Sequence, residues 1–141
     1  MNNSAESHLD FYRRWSGHCK PYFRWQMRQF SPYIGNRVGD VGCGLGNFAE
    51  LLRDRELYLG FDTDSELLEE FRRLHKEENV KLAIHGDVCS EEFVEEAKSS
   101  RLDTMLCVNV LEHIKDDRLA LANMAEGVNR GGAYLPFGSG V

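Results

Sequence analysis

Short apolar runs alternate with longer amphipathic segments through most of the chain beyond residue 35. The apolar runs have the length of strands, and the segments between them carry apolar residues at helical spacing. Strands and helices that alternate with short connections form a parallel sheet with helices on both faces, so we predict an α/β fold. The predicted strands are 37–41, 57–61, 80–84, 103–108 and 133–137, and the predicted helices are 46–55, 65–78, 90–98 and 115–128.

The N-terminal part of the chain has a different pattern. Aromatic and basic side chains are mixed through residues 8–30, and Gly17 and Pro21 interrupt this stretch. Two short helices are therefore favoured over one long helix. Ser31-Pro32 then ends the helical structure, because the residue before a proline is pushed out of the helical region. We divide the chain into an N-terminal helical segment, residues 1–34, and a main domain, residues 35–141.

Composition narrows the possible partners and surroundings. The chain has 141 residues with 17 basic and 23 acidic side chains, a formal charge of −6, which does not favour nucleic acid unless a local basic patch binds it. No apolar run approaches the roughly 20 residues that span a bilayer, and the first residues lack the features of a signal peptide. We expect a cytoplasmic protein without a membrane segment. The four cysteines and five histidines show no disulfide or metal-ligand spacing, so reduced thiols and no metal site are predicted.

A glycine-rich turn follows the first predicted strand. Residues 40–47 read D-V-G-C-G-L-G-N, and a helix is predicted to begin at once. Glycines allow a sharp turn and let a ligand approach the backbone where a Cβ atom would collide. A dinucleotide-binding loop has the pattern G-x-G-x-x-G, whereas the third glycine here is Gly46 and position 47 is Asn. The spacing therefore disfavours a nicotinamide-dependent oxidoreductase.

Acidic and polar residues follow the next three strands. Asp62 lies twenty residues after Gly42, the distance at which a ribose-binding acid is expected, and Asp64 is expected to cap the following helix. Asp87 either contacts a ligand or closes a turn. Asn109 ends the fourth strand and begins a segment that reads N-V-L-E-H-I.

Together these segments resemble the class I, Rossmann-like S-adenosyl-L-methionine-dependent methyltransferases, in particular those that act on small molecules. The loop G-x-G-x-G preceded by Asp40 is similar to their first motif, Gly86-Asp87 to their Gly-Asp segment, and residues 110–114 to their V-L-E-H-I segment. Residues 128–132 resemble their L-K-P-G-G turn. The resemblance covers roughly residues 36 to 138.

The resemblance implies a three-layer, mostly parallel sheet, S-adenosyl-L-methionine as cofactor and S-adenosyl-L-homocysteine as product. In this family an acid beside the glycine loop suits the methionine ammonium, a later acid accepts from the ribose hydroxyls, and the Gly-Asp acid reads the adenine amino group. Carried onto this sequence, the implied cofactor-binding residues are Asp40, Gly42, Cys43, Gly44, Gly46, Asp62, Thr63, Asp87, Val88 and Asn109.

His113 is the candidate catalytic base for a hydroxyl or acidic-carbon acceptor, and the alternative is that it packs at the start of the next helix. The N-terminal segment either closes over the cofactor as a lid, with Tyr12, Arg13 and Trp15 near the ligand, or packs against the sheet. The resemblance leaves the methyl acceptor open beyond favouring a small molecule.

The family fold has seven strands, so the five predicted here imply that the last two are lacking. Pro136 falls in the fifth strand, which is therefore expected to be short or to lie at an edge. A homodimer or another partner that covers the open edge of the sheet is a possible consequence. The main alternative function is a non-catalytic module that binds S-adenosyl-L-methionine or acts as a scaffold.

Overall fold

The predicted α/β fold is present in the computed structural model, which describes residues 6–129 and 131–137. Arg130, within the predicted 128–132 turn, lies outside the described residues. The helices are α1 His8–His18, α2 Lys20–Phe30, α3 Asn47–Leu51, α4 Ser65–Leu74, α5 Glu91–Ser99 and α6 Asp117–Gly127. The strands are β1 Arg37–Val41, β2 Leu57–Phe61, β3 Val80–Leu82, β4 Thr104–Val108 and β5 Ala133–Phe137, and 3-10 turns occupy Ser31–Tyr33 and Leu111–His113.

The five described strands form one parallel sheet in the order β3-β2-β1-β4-β5. The chain proceeds outward from β1 to β3 and then returns to the other side of β1 with β4. The loops after β1 and β4 therefore diverge at the carboxyl edge of the sheet, where α/β folds bind ligands. In the described sheet β5 lies at an edge, as its proline predicts.

Helices cover both faces of the sheet, which confirms the three-layer architecture. Val38 and Leu106 belong to a core cluster with Phe23, Phe48 and Phe71 of α2, α3 and α4. On the opposite face, buried residues of the sheet pack against α5 and α6; they include Val41, Leu59, Met105, Phe93 and Met124. Side chains alternate between the faces of a strand, so β1 and β4 are buried on both sides.

The N-terminal helices pack directly on the main domain. The ring of Phe23 is buried and lies 5.7 Å from that of Phe48, and Phe30 and Ile34 join the same cluster. Two short helices are confirmed. Residues 8–34 thus share the hydrophobic core of the domain to which they are connected.

Two elements end earlier than predicted because side chains from elsewhere satisfy their backbone. Helix α3 ends at Leu51 rather than 55, and the Asn79 side chain donates to the carbonyls of Arg53 and Arg55 at 2.9 and 2.6 Å. Strand β3 ends at Leu82 rather than 84, and the Glu96 carboxyl group accepts from the amides of Ile84 and His85.

Helix α4 ends at Leu74 rather than 78. His75 leaves the helical region, and its imidazole lies 2.9 Å from the carbonyl oxygen of Leu45 in the glycine turn. The remaining differences at α5 and α6 are of one or two residues at each end, except that residues 111–113 form a separate 3-10 turn. Within the described residues, no helix is long and apolar enough to cross a bilayer.

Candidate functional site

A cavity of about 680 Å³ opens at the carboxyl ends of β1 and β4. Its walls are the glycine turn, the residues that follow β2 and β4, and aromatic residues of α1 and α2. The volume is in the range of cavities that bind cofactors and small molecules. Fold topology and cavity position therefore indicate the same candidate site.

The glycines of the turn adopt backbone angles that other residues rarely reach. The φ angles of Gly42, Gly44 and Gly46 are +74°, +53° and +84°. A Cβ atom on Gly42 would lie 2.4 Å from a Val110 methyl carbon, whereas one on Gly44 would meet nothing closer than 3.9 Å. Gly42 thus allows close packing of two loops, while Gly44 lines the cavity and leaves its backbone accessible to a ligand.

Asp62 connects the end of β2 to the glycine turn. Its Oδ2 accepts a hydrogen bond from the Gly44 amide at 2.8 Å, and its Oδ1 accepts from the Asp64 amide at 2.9 Å. Each carboxylate oxygen can accept a further donor, and the half-buried Asp62 side chain lines the cavity. Thr63, its neighbour, is exposed and lies outside the lining residues.

Asp64 has the structural role predicted for it. Its Oδ1 accepts from the amides of Glu66 and Leu67, both at 3.1 Å, which caps the start of α4. Its Oδ2 lies 2.7 Å from Nε2 of His8, which ties α1 to the same helix. The hydrogen bond from His8 therefore adds an N-terminal contact to this cap.

Asp40 lies beneath the glycine turn rather than on the cavity wall. It is 2% exposed, and its Oδ2 accepts a hydrogen bond from the Tyr58 hydroxyl at 2.5 Å. Burial raises the pKa of Asp40 to about 7, against the lowering effect of the Tyr58 hydrogen bond. Burial also raises the pKa of Tyr58 well above its usual value, so the hydroxyl remains the donor. The Asp40 side chain is therefore held by Tyr58 and does not line the cavity.

The buried carboxyl group predicts a pH-dependent stability. Because the pKa of Asp40 is raised on folding, its favourable contribution is complete below the unfolded pKa and is lost as pH rises through about 7. The rise in the pKa of Asp40 above that of an ordinary aspartate corresponds to roughly 4 kcal/mol in the free energy of unfolding. We expect Asp40→Asn, which still accepts from Tyr58, to gain stability relative to wild type between pH 5 and 8 in urea unfolding. Parallel pH profiles for the two proteins would contradict this.

Three further predicted positions, Gly46, Asp87 and Val88, are not among the residues that line the cavity. The Oδ1 of Asp87 accepts from the Cys89 amide at 2.9 Å and closes a turn, the structural alternative considered for it. Val88 is 5% exposed and packs in the core between the sheet, α5 and α6.

The loop after β4 supplies the opposite wall. Asn109 has a left-handed φ of +58°, lines the cavity, and has a buried Oδ1 without a hydrogen-bond partner in the described part of the chain. A buried acceptor without a donor points to a missing partner, such as a ligand or water. Glu112 and His113 follow in the 3-10 turn; both are exposed and line the cavity.

Aromatic side chains from α1 and α2 form the outer wall. Tyr12 and Trp15 line the cavity as predicted, and Phe11, Tyr22 and Phe23 join them. The prediction for Arg13 is wrong: its guanidinium forms two hydrogen bonds with the Glu70 carboxylate, at 2.8 and 3.1 Å, and the side chain is absent from the cavity lining. The charge expected near the ligand is therefore paired with Glu70 on α4. The two arginines that contact Glu70, Arg13 and Arg73, lower its pKa to about 2.

Acidic side chains outnumber basic ones around the cavity. The described lining includes the carboxyl groups of Asp62, Asp64 and Glu112 and no lysine or arginine. Cys43 also lines it, and burial raises the pKa of this thiol well above its usual value, so it stays protonated. All four cysteines are free, as predicted. Among the described residues, no group of three or more His, Cys, Asp or Glu side chains is arranged to hold a metal ion.

Sequence reasoning missed two supporting residues, Tyr58 and His75. Tyr58 is paired with Val38, two residues before Asp40, so strand alternation places its side chain on the same face as Asp40. This relation could have been found once β1 and β2 were aligned. His75 had no comparable signal, because it meets Leu45 only through the packing of α4 on the glycine turn.

Residues 38–132 match the model of the methyltransferase domain family. The chain is 34% identical over 103 residues to a tRNA U34 carboxymethyltransferase of Sulfurovum sp. (strain NBC37-1), and the match covers 72% of this chain and 33% of that protein. It is 32% identical over 103 residues to a ubiquinone biosynthesis O-methyltransferase of Thiobacillus denitrificans, which covers 72% of this chain and 44% of the relative.

The fold agrees with solved structures of the same class. A SAM-dependent methyltransferase from Archaeoglobus fulgidus superimposes with a TM-score of 0.65 at 20% identity, over 87% of this chain and 54% of that one. The chain spans less than half the length of the two curated relatives described above. The match to the family model extends from β1 to the double glycine before β5 and includes the glycine turn and the loop after β4. The chain belongs to the methyltransferase domain family.

Proposed function

We propose that the chain binds S-adenosyl-L-methionine in the 680 Å³ cavity and forms the cofactor-binding part of a methyltransferase. The observation that carries this proposal is the contact between Asp62 and the Gly44 amide at the mouth of a positive-φ glycine turn. This contact places the Asp62 carboxylate and the accessible backbone of Gly44 in the same cavity. Membership of the methyltransferase domain family supports the same cofactor.

The residues fit the cofactor in separate ways. Asp62 would accept from the ribose hydroxyls, and the backbone of residues 42–44 would contact the methionine end, where Asn109 also offers an unpartnered acceptor. Gly86 brings the Asp87 segment against the backbone of Asp62, since a Cβ there would lie 1.9 Å from its carbonyl oxygen. Asp87 does not line the cavity, so a contact of its second oxygen with the adenine stays a prediction. We assign Asp40 to support of the turn.

The bound cofactor would supply an electrophilic methyl group, so the protein's task is to orient the acceptor and exclude water. The aromatic wall of α1 and α2 serves that exclusion, with Trp15 and Phe23 in edge-to-face contact at 5.2 Å. His113, exposed at the cavity wall, would receive a proton that the acceptor releases. Glu112 is its neighbour in the 3-10 turn and also lines the cavity; this part of the cavity, together with the rings of α1 and α2, is the acceptor side.

We propose a small molecule as the acceptor, because no lysine or arginine is found in the described lining and the chain carries a charge of −6. RNA is the second candidate. It is favoured by the tRNA-modifying relative and by exposed basic side chains on α1 and α2, including Lys20, Arg24 and Arg28. These three residues do not line the cavity.

Calorimetric titration of the 141-residue chain with S-adenosyl-L-homocysteine, and separately with NADH, tests the proposal. We expect saturable binding of the first ligand and none of the second. Binding of NADH alone would revive an oxidoreductase, and binding of neither by folded protein would contradict the cofactor assignment. Cofactor binding without transfer to any acceptor would favour the non-catalytic alternative.

A further inference from the structure

The acceptor side of the cavity has a chemical character that narrows the substrate class. We infer that it takes an organic amine with an aromatic or otherwise apolar body, held by the rings of α1 and α2 with its nitrogen directed towards Glu112. This inference rests on the proposed function and deepens it. Three features of the described residues carry it: exposed aromatic rings, hydrogen-bond acceptors without a partner, and the lack of lysine and arginine in the lining.

The aromatic wall is exposed where a folded protein usually buries such surface. Phe11, Trp15 and Tyr22 are 46%, 37% and 39% exposed, and all three line the same cavity. Exposed aromatic rings that cluster at a cavity indicate a binding surface, because soluble proteins rarely leave contiguous apolar patches in water without a function. Aromatic faces also attract cations, because the ring carries negative charge density above and below its plane. The wall therefore suits an apolar body that carries a positive charge.

The polar groups of the cavity are ready to accept hydrogen bonds. Glu112 is exposed on the cavity wall, and no ion pair is found for it among the described residues; the buried Oδ1 of Asn109, which we also place at the methionine end, has no hydrogen-bond partner there. Asp62 and Asp64 are already engaged by backbone amides and by His8. A ligand at the Glu112 side must therefore bring donors. An amine supplies N–H donors, whereas a phosphate or carboxylate would add acceptors beside acidic groups.

Charge balance agrees with transfer to nitrogen. An amine that binds as an ammonium ion would first release a proton to solvent; its nitrogen would then donate its lone pair to the methyl carbon, while the carbon–sulfur bond breaks with its electron pair left on sulfur. The methylated nitrogen is then positively charged, and it releases a proton to the imidazole of His113. Glu112 and the aromatic faces stabilise the positive charge that nitrogen acquires. No additional oxidant, reductant or metal is needed.

Three probes that share one ring test the inference: benzylamine, benzyl alcohol and benzyl phosphate. Each is titrated at pH 8 by calorimetry into the chain saturated with S-adenosyl-L-homocysteine. We expect the amine to bind roughly tenfold more tightly than the alcohol, and the phosphate to bind more weakly than both. Glu112→Gln should remove most of the amine's advantage without changing the affinity for the alcohol or for S-adenosyl-L-homocysteine.

Glu95→Gln is the matched control, because Glu95 is exposed on α5, which covers the other face of the sheet. Equal affinities for amine and alcohol, or tighter binding of the phosphate, would overturn the inference while leaving the cofactor proposal intact. Equal weakening of all probes by Glu112→Gln would overturn the role of Glu112. Failure to bind S-adenosyl-L-homocysteine at the start would contradict the proposed function itself.

Discussion

The Asp62→Ala variant is expected to lose at least a hundredfold in affinity for S-adenosyl-L-homocysteine. The substitution removes the acceptor for the Gly44 amide and for the Asp64 amide, so the glycine turn and the start of α4 lose their common support. It also removes the proposed ribose contact. Hydrogen bonds to a charged group contribute about 1.5–3 kcal/mol each. The loss of the hydrogen bonds from the two ribose hydroxyls to the Asp62 carboxylate therefore accounts for a hundredfold loss of affinity.

Calorimetry at constant pH measures the affinity, and circular dichroism shows whether each variant is folded. Thr63→Ala is the matched control, since Thr63 is adjacent, exposed and outside the cavity lining; we expect its affinity to equal that of wild type. Asp62→Asn keeps one carbonyl acceptor and should give an intermediate loss. If folded Asp62→Ala bound within threefold of wild type, the assignment of Asp62 to the ligand would be wrong.

Gly86→Ala is expected to reduce the free energy of unfolding by about 3 kcal/mol. The new Cβ atom would lie 1.9 Å from the carbonyl oxygen of Asp62 and 2.7 Å from its carbonyl carbon. Both are backbone atoms, which cannot rotate away as a flexible side chain can. The segment after β3 must therefore move away from the end of β2, which also disturbs the position of Asp62.

Urea unfolding of the wild type and the variant gives the difference in free energy. Gly17→Ala is the control for the methyl group itself, because Gly17 lies within α1 and nothing comes within 4 Å of its Cβ position. Alanine should stabilise that helix by about 0.5–1 kcal/mol. Opposite signs for the two substitutions are expected; a neutral Gly86→Ala would show that the two loops do not approach each other as closely as the structure has them.

Local sequence relations predicted a large part of this fold. The alternation of short apolar runs and amphipathic segments identified all five described strands and the helices between them, because period and length distinguish the two element types. The cap at Asp64 was equally predictable, since its acceptors and donors lie within three residues. Helix and strand ends were less accurate where Asn79, Glu96 and His75 contribute contacts from distant positions.

The candidate site was predicted unevenly for the same reason. Gly42, Gly44, Asp62 and Asn109 line one cavity because each follows a strand of a parallel sheet, and the carboxyl ends of such strands meet at one edge. The ribose, adenine and catalytic roles given to individual residues stay predictions.

By itself, the sequence determined the α/β class, the order of the elements, the glycine turn and the family motifs, all of which depend on spacing along the chain. Only the tertiary structure decided that Asp40 is buried against Tyr58 and that Arg13 pairs with Glu70. It also decided that α1 and α2 place aromatic rings over the cavity, and that no lysine or arginine is among the described lining residues. These outcomes depend on contacts between residues that are distant in the sequence. Spacing along the chain does not specify which of these residues meet or which become buried.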